Sequence, residues 1–176
     1  MIRPAALADV PSMLAIYAPY VTDTPITFEY EPPTEAEFAA RFRRITAAYP
    51  WLVLEEGGRV LGYAFADRAF EKAAYAWCAD MTVYLAREAV GQGRGRALYL
   101  ALEEEVRRRG IVILYALVTS SNLPSLRFHA ALGYREIGRL PASGWKQGRW
   151  HDVTWLEKRL APADQPPGKW QVTRDK

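Results

Sequence analysis

The sequence predicts a mixed α/β domain, with a central sheet of about seven strands flanked by four helices. Apolar stretches at 51–55, 60–66, 75–85 and 111–118 read as strands, separated by segments whose apolar residues recur at helical spacing. The stretch at 75–85 opens into Gly91-Gln92-Gly93-Arg94-Gly95-Arg96 and then a helix, so a glycine loop lies in the middle of the order. The 176 residues, half of them hydrophobic, suffice for one core.

Ile2-Arg3-Pro4 opens the chain as a short strand. Val10, Leu14, Tyr17 and Val21 share a helical face, giving a helix from 8 to about 20 whose start is marked by Asp9 and Pro11. The stretch 22–33 holds three prolines and Thr27-Phe28-Glu29-Tyr30, a long aromatic loop of a kind that often carries function. Thr34 and Glu37 make a capping box for a second helix with Phe38, Phe42, Ile45 and Tyr49 on one face. A hairpin turning at Gly57-Gly58 joins 51–55 to 60–66. After the glycine loop a helix runs from 97 to 109 and stops at Gly110. Its pairs Glu103/Arg107, Glu104/Arg108 and Glu105/Arg109 read as a solvated face. The run 111–118 suits a strand covered on both faces. A short helix at 124–132 ends at Gly133, and strands at 136–140 and 151–160 are joined by a loop over 141–150. The order is β-α-α-β-β-β-α-β-α-β-β. Residues 1–160 form a single domain, and the proline-containing 161–176 is expected to be a flexible tail.

Composition removes several classes. A net charge of +3 is too mild for a dedicated nucleic-acid surface. Cys78 is the only cysteine, and His129 and His151 are the only histidines, so neither a disulfide framework nor a metal site is expected. No stretch approaches the ~18 continuous apolar residues of a membrane span, and the N-terminus lacks a signal pattern. A cytoplasmic protein without a membrane partner is expected.

A strand that opens into a glycine loop and feeds a helix N-terminus can hold a pyrophosphate. Glycines admit close backbone approach, and the helix start offers unpaired N–H groups. Arg94 and Arg96 add positive charge there. The alternative is a ligand-free turn, although three glycines in five residues exceed what a turn needs. A dinucleotide fold places its glycines after the first strand, and a P-loop continues with Gly-Lys-Ser/Thr. Neither fits. The same placement argues against an S-adenosylmethionine methyltransferase.

The loop, the apolar strand after it, Ser121-Asn122-Leu123-Pro124-Ser125 and Phe128-His129-Ala130-Ala131-Leu132-Gly133-Tyr134 together resemble the GCN5-related N-acetyltransferases (GNAT). Thr27-Phe28-Glu29, Tyr75-Ala76-Trp77, Thr82-Val83-Tyr84 and Gly144-Trp145-Lys146-Gln147-Gly148-Arg149-Trp150 resemble the phosphinothricin and methionine sulfoximine acetyltransferase branch. The likeness spans 2–160. It implies a GNAT fold, acetyl-CoA as cofactor, a small-molecule primary amine as acceptor, and a homodimer. It implies further that the backbone of Val83 and Leu85 pairs with the pantetheine arm and that Gly91, Gln92, Gly93, Arg94, Gly95 and Arg96 wrap the pyrophosphate. Tyr84, Asn122 and Ser125 complete the cofactor-binding set. Two departures stand out: Val90 replaces the usual Arg or Gln, and Trp77-Cys78-Ala79-Asp80 replaces Trp-Thr-Val-Glu.

Amide formation from a thioester needs a free amine, so a base must remove a proton from the ammonium. Asp80 is the candidate. Its carboxylate sits about 1.5 Å further back than a glutamate's, which favours a bridging water. The alternative is that Asp80 only pairs with a neighbouring cation. A backbone N–H near Val83 can serve the developing oxyanion. The leaving thiolate, with a reference pKa of about 8.5, benefits from an acid, for which His129 and Tyr134 are candidates. The alternative for His129 is a structural role. For an amino-acid acceptor, Lys146 and Arg149 offer charge, and Thr27, Phe28, Glu29, Tyr30 and Trp77 offer an opposing wall. The alternative leaves Arg149 as surface charge and Trp145 and Trp150 as packing or dimer residues. Beyond an amino-acid acetyltransferase, the open readings are a polyamine or protein N-terminal acetyltransferase and a non-catalytic acyl-CoA-binding module.

Overall fold

A computed structural model describes residues 1–162 and 164. The expected tail thus lies largely outside the described residues. Seven strands form one sheet in the order β1-β2-β3-β4-β5-β7-β6, with four helices around it among the described residues. In chain order these are β1 (Ile2–Pro4), α1 (Val10–Asp23), α2 (Glu35–Thr46), β2 (Trp51–Glu56) and β3 (Arg59–Arg68). They are followed by β4 (Cys78–Leu85), α3 (Arg94–Arg108), β5 (Ile113–Thr119), α4 (Leu123–Ala131), β6 (Arg135–Lys146) and β7 (Arg149–Arg159). The predicted element order holds throughout.

Local chemistry accounts for the boundaries. The α2 capping box is formed: Glu37 N–H donates to Thr34 Oγ1 at 3.3 Å, and Thr34 N–H donates to Glu37 Oε2 at 2.7 Å. Asp9 precedes α1 as expected, but its carboxylate takes the Arg3 guanidinium at 2.7 and 2.8 Å instead of capping. The α1 helix continues through Pro19 to Asp23, past the expected end. On one face of the sheet Phe38 packs edge-on against Trp51 and Tyr63, and Tyr17 packs against Tyr84. On the other face α3 lies close, with Leu85 wedged between Gly62 and Gly95.

Four expectations are corrected. Helix α3 begins at Arg94, not at 97, so Arg94-Gly95-Arg96 form its first turn and Gly93, at φ 76°, is its N-cap. The strand expected from 75 begins at Cys78, after a short 3₁₀ turn at Ala73–Tyr75. Glu103 is not on a solvated face; it is 4% exposed and pairs with Lys158 of β7 at 2.7 Å as well as with Arg107. The segment 141–150 is not a loop. It continues β6, whose register slips between Glu136/Gly138 and Leu140/Gly144, and β6 meets β7 through the turn Gln147-Gly148. Pro141 and these slips break the two-residue alternation that marks a strand in sequence.

The site is set by one feature of the sheet. β4 and β5 run parallel and pair only at Cys78↔Ile113, Ala79↔Leu114 and Asp80↔Tyr115, after which they diverge. The rest of β4 stays paired with β3, and β5 stays paired with β7.

Candidate active site

The divergence leaves a wedge whose walls carry backbone polar groups. Ala86 N–H donates to Leu61 O at 2.9 Å, in register with the Gly62↔Leu85 ladder. Alternate residues of a strand face opposite neighbours. Val83 and Leu85 therefore turn their N–H and C=O groups away from β3 and into the wedge, while Met81 N–H is still spent on the last β4–β5 pair, Asp80↔Tyr115. By the same logic the Ser120 N–H bond to Asp152 O at 2.8 Å turns the backbone of Leu117 and Thr119 inward from β5. The resulting cleft is ≈ 620 Å³ and runs from Met81 to the glycine loop and α4. Tyr20 donates its hydroxyl to Leu85 O at 2.6 Å, so one of these carbonyls is already satisfied.

At the wide end lies the N-terminus of α3. Gly91 and Gly93 adopt φ of 84° and 76°, which any Cβ would strain, and Gly95 stands in the first turn with Leu85 Cδ1 at 3.1 Å from where its Cβ would be. Gly91, Gly93, Gly95 and Arg96 line the cleft, as does the exposed Val90. Arg94 does not line it: its guanidinium is held by Glu56 at 2.8 and 2.9 Å and also bonds Gln92. Gln92 leans on Glu88 O. Asn122 lines the cleft and caps α4, its Oδ1 accepting from Ser125 N–H at 3.2 Å. Tyr84, Val83, Leu85 and Ser125 line it too.

Just beyond the narrow end, outside the residues that line the cleft, Asp80 is the last residue to pair with β5, and it stands opposite Asp67 of β3. Its Oδ1 is buried without a hydrogen-bond partner among the described residues. Burial pushes its carboxyl up to about 7, helped by the Asp67 charge and opposed by the Met81 N–H. His129 is 4% exposed and lines the cleft. Its Nδ1 lies 2.9 Å from the Ser125 carbonyl, which only accepts, so Nδ1 carries the proton and Nε2 keeps its lone pair. Nε2 is buried and unpartnered among the described residues. Burial lowers the imidazole pKa, so the ring rests neutral. Tyr134 is buried away from the cleft lining and accepts from Tyr99 OH at 2.9 Å.

The residues expected to hold the acceptor lie outside the cleft lining. Lys146 donates to Val21 O and Thr27 O at 2.6 and 2.7 Å. Thr27 Oγ1 bonds Tyr17 OH at 2.7 Å, Glu29 pairs with Arg41 at 2.5 Å, and Tyr30 donates to Trp145 O at 2.8 Å. Phe28 lies over Gly144, where a Cβ would come within 2.2 Å of its ring. The Trp77 carbonyl accepts from Val112 and Ile113 at the start of β5. Arg149 is exposed and borders a separate ≈ 370 Å³ depression with Ser121 and Asp152. Sequence reasoning missed Tyr20, Ile26, Leu117, Thr119 and Phe128, which do line the cleft. Ile26 falls within the 22–33 loop and Phe128 within the Phe-His stretch, Thr119 immediately precedes the Ser-Ser-Asn turn, and Tyr20 and Leu117 carry no signal. Among the described residues no cluster of three or more metal-ligating side chains occurs, and no helix is long and apolar enough to cross a membrane.

Splayed parallel strands, with a glycine-capped helix at the open end and a buried carboxyl just beyond the closed end, frame one elongated cleft. The family of Acetyltransferase (GNAT) domains matches residues 2–155, and the chain belongs to that family. It is 36% identical to a phosphinothricin N-acetyltransferase of Streptomyces viridochromogenes, over 94% of this chain and 91% of that protein. It is also 36% identical to an L-methionine sulfoximine/L-methionine sulfone acetyltransferase of Pseudomonas aeruginosa, over 94% and 98%. A crystal structure of a phosphinothricin acetyltransferase from Sinorhizobium meliloti in complex with AcCoA superposes with a TM-score of 0.92 at 35% identity, covering 99% of this chain and 96% of that one.

Proposed function

We propose that the protein transfers an acetyl group from acetyl-CoA to the primary amine of a small amino acid or analogue, of the phosphinothricin or methionine sulfoximine type. The observation that carries this reading is the wedge. Inward-facing backbone groups, first-turn N–H donors at Arg94, Gly95 and Arg96, and the Arg96 side chain, unpaired among the described residues, suit a long thioester ending in a pyrophosphate. Acetyl-CoA supplies an activated acyl group with a thiolate leaving group. The Val83 N–H, turned into the wedge, donates to the carbonyl oxygen as negative charge builds there. Asp80 takes a proton from the acceptor ammonium, directly or through a water, and its carboxyl near 7 suits that task at neutral pH. His129 rests with its Nε2 lone pair free. It therefore gives the departing thiolate only a proton it has first received from the amine. Tyr134, turned toward Tyr99, is the weaker candidate for that role.

Thiol release from acetyl-CoA with a panel of amines tests the reading. Phosphinothricin and methionine sulfoximine are expected to release thiol, polyamines and peptides much less. Asp80→Asn is expected to lower kcat/KM by about 10²-fold or more. In the wild type, kcat/KM should rise with pH through about 7, as the Asp80 carboxylate forms. Wild-type turnover in Asp80→Asn removes Asp80 as the base. Tight acetyl-CoA binding with no thiol release across the panel favours the non-catalytic module.

A further inference from the structure

Lys146 ends β6 with its ammonium buried; the residue is 4% exposed and has no carboxylate partner among the described ion pairs. Its two hydrogen bonds go to backbone carbonyls on either side of one turn, Val21 O at 2.6 Å and Thr27 O at 2.7 Å. Val21 belongs to the last turn of α1, where carbonyls lack helical partners and a cation is favoured. Between the two carbonyls the chain leaves α1 and presents Ile26 to the cleft. Pro25 O is fixed in turn by Thr119 Oγ1 at 2.7 Å. Ile26 thus sits between two tethered carbonyls, one held from β6 and one from β5. The neighbours of Lys146 grip the same loop: Gly144 receives the Phe28 ring, and the Trp145 carbonyl accepts from Tyr30.

The Glu29 carboxylate of the same loop attracts the ammonium without forming an ion pair. A buried ammonium that lacks an ion-pair partner stabilises a fold less than an apolar side chain of its size. Its place here is explained by geometry. This loop comes from the α1/α2 face of the sheet, whereas the glycine loop opens α3 on the other face. Ile26 consequently borders the cleft on the side across from the pyrophosphate-binding turn.

We propose that Lys146 is a positioning residue for amine specificity: by joining the end of α1 to Thr27 it fixes how far Ile26 reaches into the cleft, and so which acceptors fit. This rests on the acetyltransferase reading above. It replaces direct contact between Lys146 and an acceptor carboxylate.

The test uses the full chain with Lys146→Met. Deuterium exchange of the 24–30 amides is expected to quicken about tenfold or more, with α2 unchanged. The KM for the best amine should rise about tenfold and discrimination between amines should shrink, while the KM for acetyl-CoA stays within about twofold. A folded Lys146→Met with wild-type exchange and wild-type amine KM overturns the proposal, as does an equal rise in both KM values. If Lys146→Met does not fold, Lys146→Arg carries the test. It keeps charge and donors but its longer side chain displaces Thr27, so the order of preference among amines should change. An unchanged order overturns the proposal. Absence of thiol release by the wild type with every amine instead defeats the acetyltransferase reading, and the exchange measurement still reads the tether.

Discussion

At Asp80, burial opposes ionisation, and Asp67 directly across the ladder adds like-charge repulsion. Arg44 holds Asp67 at 2.8 Å, so the Asp67 side chain stays fixed next to Asp80. The consequence for stability has a definite sign. A carboxyl raised from 3.8 to about 7 binds its proton more tightly when folded than when unfolded. Below pH 3.8 both states are protonated and no penalty exists. The penalty grows as pH rises toward 7 and is constant above it. Asp80→Asn is therefore expected to be more stable than the wild type at pH 8 and to lose the decline between pH 4 and 7. Urea midpoints at pH 5 and pH 8 measure this; equal pH dependence in both proteins would contradict it.

The first turn of α3 and the end of β2 meet through Arg94 and Glu56. This pair holds one of the loop's two arginines away from the cleft. Glu56→Gln releases Arg94, so acetyl-CoA should bind more tightly, by no more than about fivefold for an exposed pair, and with a steeper salt dependence. Calorimetric titration at two salt concentrations checks it, and unchanged or weaker binding rules out the restraint. Elements of this kind also show where sequence was informative. The α2 capping box and the Gly57-Gly58 hairpin were legible because each rests on short-range chemistry between near neighbours. The start of α3 is not legible because Arg94-Gly95-Arg96 lack apolar periodicity and the positive φ of Gly93, 76°, belongs to the folded chain. Lys146 reads as a substrate-facing charge because sequence gives residue type, not direction. Its partners lie 119 and 125 positions away. Ile26 and Tyr20 carry ordinary apolar character, and only the tertiary arrangement brings them to the cleft.

Across the whole molecule, β1–β4 and β5–β7–β6 are two antiparallel blocks joined along the sheet by three residue pairs. A ligand lying in the wedge spans both blocks. Acetyl-CoA at about 100 times its Kd should stabilise the fold by about 2.7 kcal/mol. For a chain of this size that is a rise in Tm of about 5–10 °C. Exchange at the Val83, Leu117 and Thr119 amides should slow on binding. A raised Tm without protection at Val83 would show that the ligand binds elsewhere.

The two outer edges of the sheet differ in length but share a property that matters for association. β1 has three residues, too few to template another strand. β6 has twelve, yet Pro141 and two register slips against β7 break its regular course, and Ala142 holds a positive φ of 46°. Neither edge offers the long, flat row of unpaired N–H and C=O groups on which strands add between molecules. Contact with another chain at β6 must therefore be made by side chains, with the exposed Trp145 and Trp150 the largest of them, and not by extending the sheet.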